Sequence, residues 1–144
     1  MKFNTIALAA VAVAFSASAA VAHHSFAMFD AEKTIELKGT VKEFQWTNPH
    51  SWILMMVKNK AGVEEQWAIE MGGPAGLARQ GWVPKTLTPG MQVRTLVHPL
   101  KDGTRGGQFM AIYLPDGTMK GNPNARPSAD AGAAPAGGGG GEYR

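Results

Sequence analysis

The sequence HSWILMMVKNKAGVEEQWAIEM at residues 50–71 contains the pattern that decides the fold. Apolar residues occupy both odd and even positions of 50–57, which predicts a central strand covered on both faces. After the turn signal at 58–62, apolar and polar residues alternate from 63 to 71, with Trp67 on the apolar side. Two such strands joined by a short turn that contains glycine predict a β-hairpin.

The pattern of the segment before the hairpin predicts a third strand, and it predicts that this strand is bent. Ile35, Leu37 and Val41 alternate with polar residues and indicate a strand with one buried face. Further along the segment the apolar residues move from odd-numbered to even-numbered positions, because Phe44 and Trp46 are both even. A strand that changes phase near a glycine is expected to be bent or bulged, as a small barrel requires.

The segment after the hairpin predicts one short helix and two more strands. Gly72-Gly73-Pro74 begins a helix over 74–80, since proline suits the first helical turn. Strands are predicted at 91–97 and 108–114. Three strands, a short helix and two strands is the order of an OB-fold, a five-stranded Greek-key barrel. We therefore predict an all-β chain with one short helix, folded as an OB-like barrel.

The amino-terminal 22 residues have the layout of a secretory signal peptide. Lys2 precedes an uncharged apolar run, and Ala20-Val21-Ala22 forms an A-x-A cleavage site. Cleavage at the end of this segment, 1–22, makes His23 the first residue of the mature chain. The sequence therefore predicts a periplasmic or secreted protein.

The opposite end of the chain is predicted to be a disordered tail. Residues 121–144 are rich in Gly, Ala and Pro and contain few large apolar side chains. Such a composition cannot bury enough apolar surface to offset the entropy lost on folding. The barrel domain is therefore expected at 23–120.

Composition excludes several classes of function. The chain has 14 basic and 11 acidic residues, so removal of Lys2 with the signal leaves a net charge of +2, too weak for a nucleic-acid footprint. There is no cysteine, which excludes disulfides, thiolate zinc sites and thiol catalysis. After residue 22 no apolar run approaches the roughly 20 residues of a membrane-spanning helix.

Two motifs are distinctive, HHSF at 23–26 and NPHS at 48–51, and the segments 39–44 and 87–90 accompany them. Together they resemble an uncharacterised family of exported bacterial proteins, grouped only as a domain of unknown function, over residues 23–123. This resemblance implies an exported small β-barrel and brings no established activity or ligand residues. The predicted strand order also resembles that of periplasmic bacterial OB-fold proteins.

All histidines of the chain are candidate metal ligands: His23, His24, His50 and His98. An amino-terminal histidine offers a metal its α-amine and a ring nitrogen, and nitrogen sites rich in imidazole favour copper among divalent first-row metals. His50 and His98 lie at predicted strand ends, where the loops of a small barrel can converge. With either ring added to His23, the site resembles the histidine brace of copper proteins such as the lytic polysaccharide monooxygenases. Only the amino-terminal histidine carries that resemblance.

A second copper arrangement needs no folded pocket. The α-amine, a deprotonated backbone amide and the His24 ring can bind Cu(II) in a square plane. Copper binding alone is therefore a weak test of function. The thioethers of Met28, Met55 or Met56 can favour Cu(I), although methionine in a strand more often fills the core.

Each candidate residue also has a structural interpretation. His50 can form a hydrogen bond across the Asn48-Pro49 turn, and His98 can be an exposed strand end. Most tryptophans are expected in the core, with an aromatic platform for sugars or peptides as the alternative. A solvated strand face is expected for three carboxylates, those of Glu64, Glu65 and Glu70.

These observations favour a non-enzymatic, exported barrel that binds a metal, copper above others, near His23, His24 and His50, with His98 as a further ligand. The first alternative is an envelope module that binds a peptide, glycan or protein partner. The second is a copper-dependent redox enzyme. A metal site needs a free His23 amine and converging rings, whereas a binding module needs neither.

Overall fold

Six strands and one short helix follow each other along residues 26–129, the part of the chain that the computed structural model describes. The first three strands form the predicted hairpin and the bent strand before it. The fourth and fifth strands follow the helix, and a short sixth strand comes last. Their bounds are β1 Ile35–Gln45, β2 Trp52–Lys58, β3 Glu64–Glu70, α1 Pro74–Arg79, β4 Gln92–Pro99, β5 Gly106–Tyr113 and β6 Met119–Gly121.

Five of these strands close into a barrel. The hydrogen-bonded order is β3-β2-β1-β4-β5-β6, and a parallel pairing of β3 with β5 joins the two sides of the sheet. β6 pairs antiparallel with the end of β5 and is additional to the barrel. The all-β barrel with one short helix is therefore confirmed. The three-residue β6 was not predicted, because so short a strand has no readable alternation.

β1 is bent because it belongs to both halves of the barrel. Residues 35–40 pair with β4 and residues 39–45 pair with β2. A bulge between Val41 and Glu43 shifts the register with β2, which accounts for the change of apolar phase in the sequence. At the bend, a Cβ on Gly39 would overlap the backbone carbonyl of Met56, so this position requires glycine.

Apolar side chains from all five barrel strands fill the interior. Trp67 is the largest of them and is fully buried, opposite the buried Met55 of β2. Leu77 of α1 and Trp82 belong to the same core, and the Trp82 and Phe109 rings lie 5.5 Å apart between centroids. Two tryptophans are thus core residues, whereas two are only half-buried, Trp46 and Trp52.

The packed structure continues past residue 121, where the tail was expected to begin. Ala125 is buried against β4 and β5, in contact with Leu96 and Ala111. The backbone N–H of Ser128 donates to the Thr34 carbonyl at 2.9 Å, and Thr34 N–H donates to the Ser128 hydroxyl at 2.8 Å. Packing therefore extends at least to Ser128. The predicted signal segment 1–22 and residues 130–144 lie outside the described residues.

Two truncations are expected to separate this packed segment from the glycine-rich end. Removing residues 130–144 should leave the free energy of unfolding unchanged, because these residues supply almost no apolar surface. Removing residues 122–144 should lower it by about 1–3 kcal/mol, since a buried alanine and three hydrogen bonds to the barrel are lost, two with Thr34 and one with Met110. Denaturant unfolding of both forms tests this, and equal stability of the two truncated proteins would contradict it.

No helix within residues 26–129 has the length and apolar character needed to cross a membrane.

Candidate functional site

The structure describes two of the four candidate histidines. His50 lies two residues before the start of β2, and His98 lies near the carboxyl end of β4. His23 and His24 fall outside the described residues, which begin at Phe26. The structure therefore locates only the two histidines that belong to the barrel, His50 and His98.

His50 is held by a carboxylate. Its Nδ1 contacts Oε1 of Glu70, the last residue of β3, and the two side chains are 33% and 11% exposed. An ionised carboxylate can only accept hydrogen bonds, so Nδ1 is the donor and carries the proton. In the neutral ring Nε2 is then the nitrogen with a lone pair. Metal-binding histidines commonly have this second contact to a carboxylate or a carbonyl, which fixes the tautomer and the ring orientation.

His98 is oriented in a similar way by the backbone. Its Nδ1 lies 2.7 Å from the carbonyl oxygen of Lys33 and 3.4 Å from the Thr34 hydroxyl. A carbonyl oxygen accepts only, so Nδ1 is again the donor and Nε2 keeps the lone pair in the neutral ring. The alternative interpretation of His98 as an exposed strand end does not hold, because the residue is half-buried and its ring contacts Lys33 and Thr34.

A row of paired residues leads from His98 to Glu70, the residue that contacts His50, across the outside of the barrel. His98 pairs with Gln108, and Gln108 pairs with Glu70. Paired residues of neighbouring strands project from the same face, and neighbouring strands lie about 4.8 Å apart. His98 and Glu70 are thus separated by two strand spacings, with Gln108 between them. Among residues 26–129 no three histidine, aspartate or glutamate side chains are grouped closely enough to hold a metal.

The amino-terminal segment, residues 26–30, passes over this row. Phe29 forms a β-bridge with Leu100, and the Asp30 N–H donates to the Pro99 carbonyl at 2.8 Å. These backbone contacts fix the segment beside the end of β4. The segment therefore covers part of the barrel face to which Glu70 belongs.

Glu70 lies between two small clefts that the amino-terminal segment forms with the barrel. One, of about 260 Å³, is lined by Phe26, Gln108 and Phe109 among others. The second, of about 50 Å³, is lined by Met28 and Trp52 among others, and Glu70 belongs to both. The described amino-terminal segment thus meets the barrel beside the carboxylate that contacts His50.

The role of Glu70 was missed in the sequence. Along β3, Trp67 and Ile69 occupy odd-numbered positions on the inner face, whereas Glu70 occupies an even-numbered position. This alternation predicts that the Glu70 side chain points outward into solvent. The residue does face outward but is only 8% exposed, because the amino-terminal segment and the 46–51 connection cover it. One feature of the sequence could have predicted this burial. Ala68 is apolar and lies on the same outer face of β3 as Glu70, which indicates that this end of the strand is covered on both faces.

A larger groove of about 570 Å³ crosses β1 and β4 and has a different character. Arg94 lies over the Tyr113 ring at 3.7 Å, and its Nη1 donates to Glu36 at 2.8 Å. Burial raises the pKa of Glu36, but hydrogen bonds from Arg94 and Lys38 outweigh it, so the pKa is lower than its ordinary value. The arginine in this groove is therefore already paired with a carboxylate and is poorly suited to attract an anionic ligand.

The sequence matches one protein family over residues 10–109, more than half of the chain. That family is described as a family of unknown function. The expected relationship to an uncharacterised family is confirmed, whereas the match carries no information on export or on ligands. No curated protein and no solved structure matches the chain significantly.

Proposed function

The chain belongs to the family of unknown function DUF6152, and we propose that it is an exported, non-enzymatic protein that binds copper between its mature amino terminus and the barrel. The barrel contributes the His50 imidazole, oriented by Glu70. The amino terminus contributes the His23 α-amine and ring, with the His24 ring as an alternative donor. His98 is a secondary candidate on the same face.

The observation that carries this proposal is the contact between His50 Nδ1 and the Glu70 carboxylate. A carboxylate on a side chain that is 11% exposed needs a partner, and the imidazole supplies one through Nδ1, so that a metal would bind through Nε2. The same carboxylate forms a wall of both clefts beneath the amino-terminal segment. Glu70 therefore contacts the ring of His50 and also lines the clefts that residues 26–29 form with the barrel.

Chain length supports the involvement of His23. Phe26 lines the cleft that contains Glu70, and three Cα–Cα steps separate it from His23. Three residues span at most about 11 Å when extended. His23 therefore lies within about 11 Å of Phe26, which lines a cleft together with Glu70, the carboxylate that contacts His50.

The donor set favours copper among the metals of the cell envelope. An α-amine and two or more imidazoles are nitrogen donors, and the chain contains no cysteine thiolate that would favour a structural zinc site. Affinity for such sites peaks at Cu(II) in the divalent first-row series. Zn(II) and Ni(II) are the appropriate competitors in any binding measurement.

The proposal requires a free α-amine on His23, which gives a direct prediction. Intact mass spectrometry of the exported protein should give the mass of residues 23–144, with one copper ion retained under native conditions. An Ala20→Leu variant should accumulate as the uncleaved precursor, because a large residue is unsuited to the A-x-A site. A wild-type amino terminus at any other residue would contradict the proposal, since an amide nitrogen would then replace the amine.

A further inference from the structure

Aromatic side chains form the walls of the larger of the two clefts beside Glu70. We call this cleft, of about 260 Å³, the Phe26 cleft, and three phenylalanines line it, Phe26, Phe29 and Phe109. The Phe29 N–H donates to the Phe26 carbonyl at 3.3 Å, and side chains three positions apart on one helical turn are neighbours. Phe109 belongs to β5, so rings from two separate parts of the chain meet at this cleft.

The Phe26 cleft also has a carboxylate in its wall. Among the residues from 26 to 129 that line it, Glu70 is the only ionisable one, and its partner across β3 and β5, Gln108, is uncharged. The Glu70 side chain is 11% exposed, and a partly buried charge is screened by salt much less than a surface charge. His50 donates to this carboxylate through Nδ1, and a neutral imidazole leaves the negative charge in place. The cleft therefore favours a cation.

Two other aromatic rings already contact cations of the protein itself. Arg94 lies over the Tyr113 ring at 3.7 Å, and the Lys120 Nζ lies 5.5 Å from the centroid of the Trp82 ring. No lysine or arginine in the described part of the chain lines the Phe26 cleft. The cation that suits this cleft is therefore one that the described residues do not supply.

We propose that the Phe26 cleft binds a small organic cation with a methylated nitrogen, a quaternary ammonium group. The faces of phenyl rings attract such a group, and it needs no hydrogen bond, which phenylalanine cannot offer. Glu70 supplies the opposite charge. The volume of the cleft is just below the range of about 300–1,000 Å³ for pockets of drug-sized ligands, so the ligand is small. This site goes beyond the proposed copper function and does not depend on it.

Titration of the mature protein with choline tests the proposal. Backbone amide signals in ¹H–¹⁵N NMR spectra, recorded at pH 8 with EDTA present, should shift at Gly72 and Phe109, which line the cleft. The uncharged carbon analogue of choline, 3,3-dimethylbutan-1-ol, should bind at least about tenfold more weakly because it lacks the charge. A parallel sedimentation assay with phosphatidylcholine vesicles distinguishes the two sources of this group. Cosedimentation that choline reverses assigns a lipid headgroup, and its absence assigns a free cation.

Two variants separate the contributions of the carboxylate and the rings. Glu70→Gln keeps the size of the side chain and removes its charge, so the affinity for choline should fall about tenfold or more. Phe26→Leu removes one ring and should lower the affinity about 3- to 10-fold. Phe26 is 58% exposed, so this variant is expected to fold like the wild type. Glu64→Gln, which removes an exposed carboxylate from the same strand, is the matched control and should leave the affinity unchanged.

Equal affinity for choline and its uncharged analogue would overturn the proposal. An unchanged affinity in either Glu70→Gln or Phe26→Leu would also overturn it, as would the absence of shifts at Gly72 and Phe109 at tens of millimolar choline. Because EDTA removes free metal, the result is independent of copper. The proposed function fails separately, if the binding of Cu(II) does not depend on His50.

Discussion

Trp67→Ala is expected to destabilise the barrel by about 3–5 kcal/mol, the range typical of truncating a fully buried large aromatic side chain. Trp67 lies at the centre of the interior with no exposed surface and pairs with the equally buried Met55 across β2 and β3. A loss of this size is a large share of the stability of a small domain. Denaturant unfolding measures it as a lower midpoint at an unchanged slope.

Trp67→Phe is the matched variant for this prediction. The Trp67 indole N–H has no hydrogen-bond partner among the described residues, so its removal costs no hydrogen bond that the structure shows. Phenylalanine also leaves a smaller cavity than alanine does. We expect the phenylalanine form to be more stable than the alanine form. If Trp67→Ala unfolds like the wild type but fails to bind a glycan or peptide, the residue belongs to a binding surface and the assignment of the core is wrong.

The barrel was predictable because its signals are local. The apolar run at 50–57 and the alternation after it show which faces of each strand are covered. The shift of apolar residues to the other face after Val41 coincides with the bulge in β1. Because consecutive elements usually lie next to each other, the order of strands and helix allows only a few topologies for a closed sheet. The closing pair, β3 with β5, joins residues almost forty positions apart and has no local signature.

The site was predictable only in part, because its geometry depends on long-range contacts. His50 and His98 were selected as histidines at strand ends, and the structure orients both through Nδ1. Glu70 was expected to be solvated because the alternation of residues describes one strand, whereas the burial of Glu70 involves a segment some forty residues earlier in the chain. The structure brings His50 to Glu70 and leaves His98 two strands away from Glu70, which is why we propose His50 rather than His98 as the barrel ligand.

Copper is expected to stabilise the folded mature protein by a large amount. A metal that binds only the folded state adds about 2.7 kcal/mol when free copper is 100 times the Kd, which raises the Tm of a domain of this size by on the order of 10 °C. Copper held by the amino terminus alone binds the unfolded chain equally and gives no shift. The effect of copper on the Tm therefore separates a site shared with the barrel from a peptide site at the terminus.

The most direct test of the central claim is thermal unfolding of four forms of the mature protein in buffered Cu(II) and without metal. These forms are the wild type, His50→Ala, His98→Ala and a chain with one glycine added before His23. We predict that the copper-induced rise in Tm occurs in the wild type and in His98→Ala, and disappears in His50→Ala and in the extended chain. No rise in the wild type, or an equal rise in His50→Ala, would contradict a copper site shared between the amino terminus and the barrel.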